Sequence, residues 1–264
     1  MSVLVRDAEP GDLPWIADLV RTSFDSDLLP YLVAAQHGIL EWWRLMLDYP
    51  ASFGNPRILV ATSADGTRLG YAEVRKLDET TGFLSYVAVS PQARGAGIAR
   101  GLLAAWLRDE PAVGAMELDV FASNAPARRL YERLGFEETA RSTWWTAPLP
   151  DTTPDPAAGD LAVVDLPAAM ARHRVYGFTD LAVGTGDGRL RLGVMGQEVL
   201  RFFSANAFAD DRAVALGRSL FPDLTRGMAI LAAGDAPPAQ VGAEPVNESL
   251  RMRSVRIRQR LEHP

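Results

Sequence analysis

Residues 83–100, FLSYVAVSPQARGAGIAR, read as a strand, a tight glycine loop and the start of a helix. Phe83 to Val89 is rich in β-branched and aromatic side chains, Pro91 lacks the donor that another ladder bond would need, and Gly95 and Gly97 free the backbone before an apolar helical run. Leu102, Leu103, Trp106 and Leu107 recur three or four apart, so the helix they mark starts with unpaired N–H groups and turns its positive dipole end back into the loop. A phosphate or pyrophosphate fits such a seat.

Spacing separates the glycine-rich phosphate loops. A dinucleotide fingerprint needs a third Gly or Ala where Arg100 stands, and a P-loop needs Lys-Ser or Lys-Thr after its last glycine; neither is present. Downstream, Met116 to Phe121 alternates as a strand, Asn124-Ala125-Pro126 opens a short helix, and Gly135 stands just past its end. Two strings carry a resemblance. Arg94-Gly95-Ala96-Gly97-Ile98-Ala99 follows a strand ending Val-Ala-Val-Ser-Pro, and NAPARRLYERLGF occupies 124–136. In order and spacing they resemble the acyl-CoA loop, Q/R-x-x-G-x-G/A, and the later N-x-x-A-x-x-x-Y-x-x-x-G-F motif of the GNAT N-acetyltransferase superfamily.

The resemblance implies an α/β (α+β) GNAT fold, a mixed central β-sheet flanked by helices, and acetyl-CoA or another acyl-CoA as co-substrate. It implies that Arg94, Gly95, Ala96, Gly97, Ile98, Ala99 and Arg100 hold the pyrophosphate. The main chain of Val87, Ala88 and Val89 would pair with the pantetheine arm as an added strand. Asn124 would bond the arm's amide, or serve only as a helix cap. Tyr131 matches the family tyrosine that protonates the departing thiolate; a phenol of pKa about 10 and a thiol of about 8.5 exchange a proton at modest cost. The other reading of a tyrosine on an amphipathic helix is core with a wet hydroxyl. Many relatives carry a Glu on the strand before the glycine loop as base, but Phe83 to Val89 offers only Ser85 and Tyr86 as polar side chains. Glu73, on the neighbouring strand, is the substitute.

Composition bounds the rest. The 264 residues are 48% hydrophobic and 23% charged, which suits one or two globular domains. A net charge of -6 and a pI near 5.2 argue against nucleic acid as a partner and suit a cationic small acceptor. Cysteine is absent, so disulfides, thiolate metal sites and an acyl-cysteine route are excluded, and no metal is expected. No long apolar run or export signal is visible, which makes the cytoplasm the expected compartment and a membrane partner unexpected.

In chain order, Val3 to Arg6 reads as a strand, and Asp12 with Pro14 as the cap of a helix bearing Trp15, Ile16, Leu19 and Val20. The aromatic-rich stretch Phe24 to Leu47 covers the acceptor pocket in the family; its periodicity reads as a core helix, on which the adjacent Trp42 and Trp43 cannot share a face. His37 is a lone histidine, more often structural than an acceptor contact. Arg57 to Thr62 and Arg68 to Arg75 form a hairpin around Asp65-Gly66, with Glu73 facing either solvent or the cleft.

The expected division is a GNAT domain over 1–149, a Pro-rich linker over 150–160, and a smaller C-terminal α/β domain over 161–264. That second domain repeats strand, strand, strand, helix, strand without a glycine loop, so it reads as a degenerate GNAT-like unit with a dimerisation or lid role, and Leu250 to Arg258 reads as its last strand. The functional expectation is transfer of acetyl from acetyl-CoA to a primary amine of a small molecule. O-acyl or longer-acyl transfer and a non-catalytic acyl-CoA sensor remain the alternatives, and a homodimer is compatible with either.

Overall fold

The computed structural model of the chain describes residues 3–150, 161–185 and 188–262. Ten residues of the expected linker, 151–160, and part of the turn at Gly186-Asp187-Gly188 lie outside the described residues. Two compact units form, one from Met1–Phe24, Trp42–Ala140 and Leu250–Pro264, the other from Asp25–Glu41 and Arg141–Ser249. Each is a mixed β-sheet flanked by helices.

In the first unit, Val3–Asp7 (β1), Leu13–Ser23 (α1), the later part of Ile39–Asp48 (α2), Arg57–Ser63 (β2), Arg68–Lys76 (β3) and Thr81–Val89 (β4) follow in order. β1 to β4 run antiparallel, neighbour to neighbour. Ile98–Asp109 (α3) then crosses one face, so that Ala115–Phe121 (β5) returns parallel to β4, as a parallel pair requires. The core lies under α3, where Leu102, Leu103 and Trp106 join Leu59, Ala72, Val74, Leu84 and Met116. Strand alternation therefore puts Tyr71 and Glu73 on the opposite face of β3. Ala125–Arg133 (α4) follows β5, and the end of Glu244–Ser254 (β12) takes the place beside β5.

Asp12 stands at the expected N-cap position of α1, with Pro14 in the first turn, but does not cap it through its side chain. Its carboxylate makes no cap bond to α1, because the preceding 3-10 turn, Pro10–Asp12, points it back at the Glu9 N–H. It accepts from that N–H at 2.8 Å, from Arg6 at 2.6 Å and from Arg68 at 2.7 Å. The side chain is 1% exposed, sealed by the two arginines. Burial raises its pKa, but the bonds from Arg6, Glu9 and Arg68 outweigh burial and hold the carboxyl well below the usual range. Asp12→Asn is expected to lower stability at neutral pH by about 1.5–3 kcal/mol, read from urea midpoints. A depressed folded pKa stabilises above the unfolded value of about 3.9, so the difference closes as pH falls through the folded value.

The second unit contains 3-10 turns at Ser26–Tyr31 and Val33–Ala35. Pro30 breaks the helix that periodicity predicts over 24–47, and an α-helix starts only at Ile39. Within Glu137–Pro148 (β6), residues from Ser142 pair antiparallel with Arg226–Ala232 (β11). Ala162–Val164 (β7), Phe178–Thr185 (β8), Gly188–Met195 (β9) and Val199–Phe202 (β10) form an antiparallel meander. Leu166–Tyr176 (α5) precedes β8, and Ala205–Phe208 (α6) with Asp211–Leu220 (α7) connects β10 to the parallel β11. The order β7-α5-β8-β9-β10-α7-β11 thus repeats β1-α1-β2-β3-β4-α3-β5.

The expected final strand over Leu250 to Arg258 stops earlier: β12 ends at Ser254 and Ile257–Glu262 (α8) begins. Ser254 breaks the strand by turning its hydroxyl to the Leu134 carbonyl at 3.2 Å. No helix among the described residues is long and apolar enough to cross a membrane.

Candidate active site

The site of the first unit starts from a divergence of two strands. Parallel pairing of β4 with β5 covers Thr81–Leu84 and Ala115–Leu118; beyond that, β4 through Val89 pairs with β3 alone. A bulge marks the divergence, since Glu73 pairs with Tyr86 and Val74 with Leu84, leaving Ser85 extra. A bulge bends and twists its strand, which opens the edge of Val87, Ala88 and Val89 on the β5 side.

The glycine loop lies at the end of that strand. After a 3-10 turn over Pro91–Ala93, Gly95 and Gly97 adopt φ of 78° and 77°. An added Cβ at either would meet nothing within 4 Å, so the left-handed backbone, rather than crowding, calls for glycine there. Gly97 is the N-cap of α3 with no side chain to cap it, and the first N–H groups, at Ile98, Ala99 and Arg100, have no partner within the helix. The open space and the free donors fit a pyrophosphate. Arg94 is exposed at this loop, its Nε 3.4 Å from the Val89 carbonyl. Arg100 points elsewhere: its guanidinium donates to the carbonyls of Leu261 at 2.6 Å and Arg260 at 3.3 Å, at the end of α8.

Asn124 caps α4, its Oδ1 accepting from the Ala127 N–H at 3.1 Å. Tyr131, on α4, is 5% exposed and meets Phe136 edge to face at 5.6 Å. Burial pushes its phenol pKa well up, so the hydroxyl keeps its proton.

Glu73 points inward. Trp43 of α2, itself 1% exposed, donates its indole N–H to Glu73 Oε2 at 3.1 Å. The residue keeps some solvent contact while its carboxyl group is enclosed, and burial pushes that group up to about 7, against hydrogen bonds from Trp43 and Ser85 and the charge of Arg75. A carboxylate poised there suits a general base near neutrality. Tyr71 is wholly buried beside it, with a hydroxyl that has no hydrogen-bond partner among the described residues. The sequence shows Trp43 and Ser85 without their place beside Glu73, and gives Tyr71 no role at all. The two adjacent tryptophans were the one available signal: Trp42 packs on Phe53 at 4.9 Å, leaving Trp43 for Glu73.

The corresponding place in the second unit is filled. β10 and β11 stay paired through Phe202, Phe202 stacks on Phe208 at 4.9 Å, and an added Cβ on Gly227 would stand 2.6 Å from Phe208. His37 belongs to this unit, where it lines a cavity of about 330 Å³ with His173, Arg174 and Phe221.

A splayed parallel strand pair and a left-handed glycine loop at a helix start lie in one unit with the enclosed carboxyl group of Glu73 and the buried side chain of Tyr131. The pattern of the Acetyltransferase (GNAT) family matches residues 18–136. Over 105 residues the chain is 36% identical to aminoglycoside N(6')-acetyltransferase type 1 of Stenotrophomonas maltophilia, a match covering 35% of this chain and 67% of that one. The chain belongs to the GNAT acetyltransferase family. Solved structures that share its fold include a GCN5-related N-acetyltransferase from Sphaerobacter thermophilus (14% identity, TM-score 0.61, covering 96% of each chain) and the glucosamine N-acetyltransferase region of a fungal multi-domain beta-N-acetylglucosaminidase (13%, 0.64, 95% of this chain and 38% of that one).

Proposed function

We propose that this protein moves an acetyl group from acetyl-CoA to a primary amine of a small, cationic, aminoglycoside-like acceptor by direct transfer. The observation that carries the reading is the Glu73 carboxylate, enclosed beside Trp43 and raised to about 7, in the same unit as the open glycine loop. The aminoglycoside-modifying relative and the net charge of -6 support a polyamine acceptor.

The N–H groups of Gly95 to Ala99, with Arg94, would hold the pyrophosphate, and the β4 edge at Val87 to Val89 would hold the pantetheine arm. Arg100 would act on the loop indirectly, by tying the start of α3 to the end of α8. Acetyl-CoA, when bound, supplies an acetyl group activated as a thioester. Glu73 takes a proton from the acceptor's ammonium, leaving a lone pair free to attack. Tyr131 delivers its proton to the departing sulfur as the C–S bond breaks, the pKa of the leaving thiol being raised by the same water-poor setting, and the second proton of the attacking nitrogen returns to the phenol oxygen. Asn124 stays a helix cap. The second unit, whose corresponding groove is packed with Phe202 and Phe208, serves the acceptor side or self-association rather than a second acyl-CoA.

Mass spectrometry of an aminoglycoside and polyamine panel incubated with the protein and acetyl-CoA tests this. Acetylation on an amine nitrogen is expected. Acetyl-CoA binding with no acetylated product across the panel would favour a sensor, and acetyl on oxygen alone would favour O-transfer.

A further inference from the structure

Glu73 is held by an unusual neighbour. Trp43 is 1% exposed, and its ring meets Tyr71 edge to face at 6.4 Å, so packing fixes the direction of its N–H. That N–H ends 3.1 Å from Glu73 Oε2. The other groups facing Glu73 are Tyr71 and Arg75 from β3, Ser85 and its cross-strand partner Tyr86 from β4, and uncharged Ile58 opposite it on β2. Among these, Arg75 and Ser85 favour the ionised carboxylate together with Trp43, while burial opposes it. An indole can donate but never accept, so its bond is strongest to the charged form and has no counterpart to offer a protonated oxygen's O–H.

We propose that Trp43 is a positioning residue for acyl transfer: its indole N–H fixes the Glu73 carboxylate in one orientation and keeps it ionised where it must take the acceptor's proton. This inference rests on the reading of Glu73 as base. The role is separate from core filling, because a phenyl ring would occupy much of the same space without the donor. Tyr71 leaves its hydroxyl without a hydrogen-bond partner among the described residues, so it takes no part in holding the carboxylate that Trp43 bonds.

The test combines pH profiles with a direct signal. In Trp43→Phe, the acid limb of kcat/KM is expected to move up by about one pH unit, giving roughly a tenfold loss on that limb that closes at high pH. A purely structural role would lower kcat/KM by one factor at every pH. In wild-type protein labelled with 15N-tryptophan, the Trp43 indole resonance is expected to titrate with the limb and to stop titrating in Glu73→Gln; this readout needs neither turnover nor a folded Trp43 variant. If Glu73→Gln abolishes the limb while the Trp43 signal is flat with pH in wild type, or Trp43→Phe leaves the limb in place, the inference is overturned and the base reading stands. If Glu73→Gln keeps the limb, the base reading falls and this inference falls with it.

Discussion

Glu73→Gln is expected to lower kcat/KM for amine acceptors by about 10²–10⁴-fold at high pH, the usual worth of a positioned base. The wild-type rate should rise with pH through about 7, where the enclosed carboxyl ionises, and then level; the variant should lack this limb. Stability moves the other way. A carboxyl whose folded pKa lies above its unfolded value of about 4.3 stabilises the fold at low pH, and that contribution is lost as pH rises through the folded value. Above about 7 the wild type carries a buried charge that glutamine does not. The variant should therefore unfold at the same or higher denaturant concentration than wild type at high pH. Lost activity with undiminished stability would separate a chemical role from a structural one.

Tyr131→Phe is expected to lower kcat by about tenfold or more, with little change in acetyl-CoA affinity measured by calorimetry. The residue is 5% exposed among Phe136, Leu134 and Leu130, so phenylalanine fills the same space and the fold survives. Burial raises the phenol pKa, so the proton stays on the oxygen throughout the working range and Tyr131 contributes no fall in rate at moderately high pH. Unchanged kcat in the variant would remove Tyr131 as the acid and return it to the core.

The glycine loop was readable because it depends on backbone: Gly95 and Gly97 adopt left-handed angles that few other residues tolerate, and α3 begins where its apolar spacing starts. Glu73 could be named from its position on β3, but not its direction, which Trp43 decides from thirty residues earlier. Ser85 stands out as a polar residue of the strand, but its place beside Glu73 does not, since a one-residue bulge leaves no mark in an alternating strand. Asp12 carried a cap signature and instead binds Arg6 and Arg68, because a 3-10 turn precedes it. α5 leaves no periodic signal in the sequence: Leu166 to Tyr176 interleaves Arg172, His173 and Arg174 with small residues and shows no apolar stripe. Likewise, alternation in β6 and β12 identifies strands but not which strands each pairs with, a choice made by tertiary packing.

The most direct test of the proposed activity is a thiol-release assay with acetyl-CoA against a panel of aminoglycosides and polyamines, run beside calorimetric titration of acetyl-CoA alone. The proposal predicts saturable binding of acetyl-CoA and acceptor-dependent release of free thiol. Failure of acetyl-CoA to bind would contradict the assignment of the Arg94 to Ala99 loop, and with it the proposed reaction.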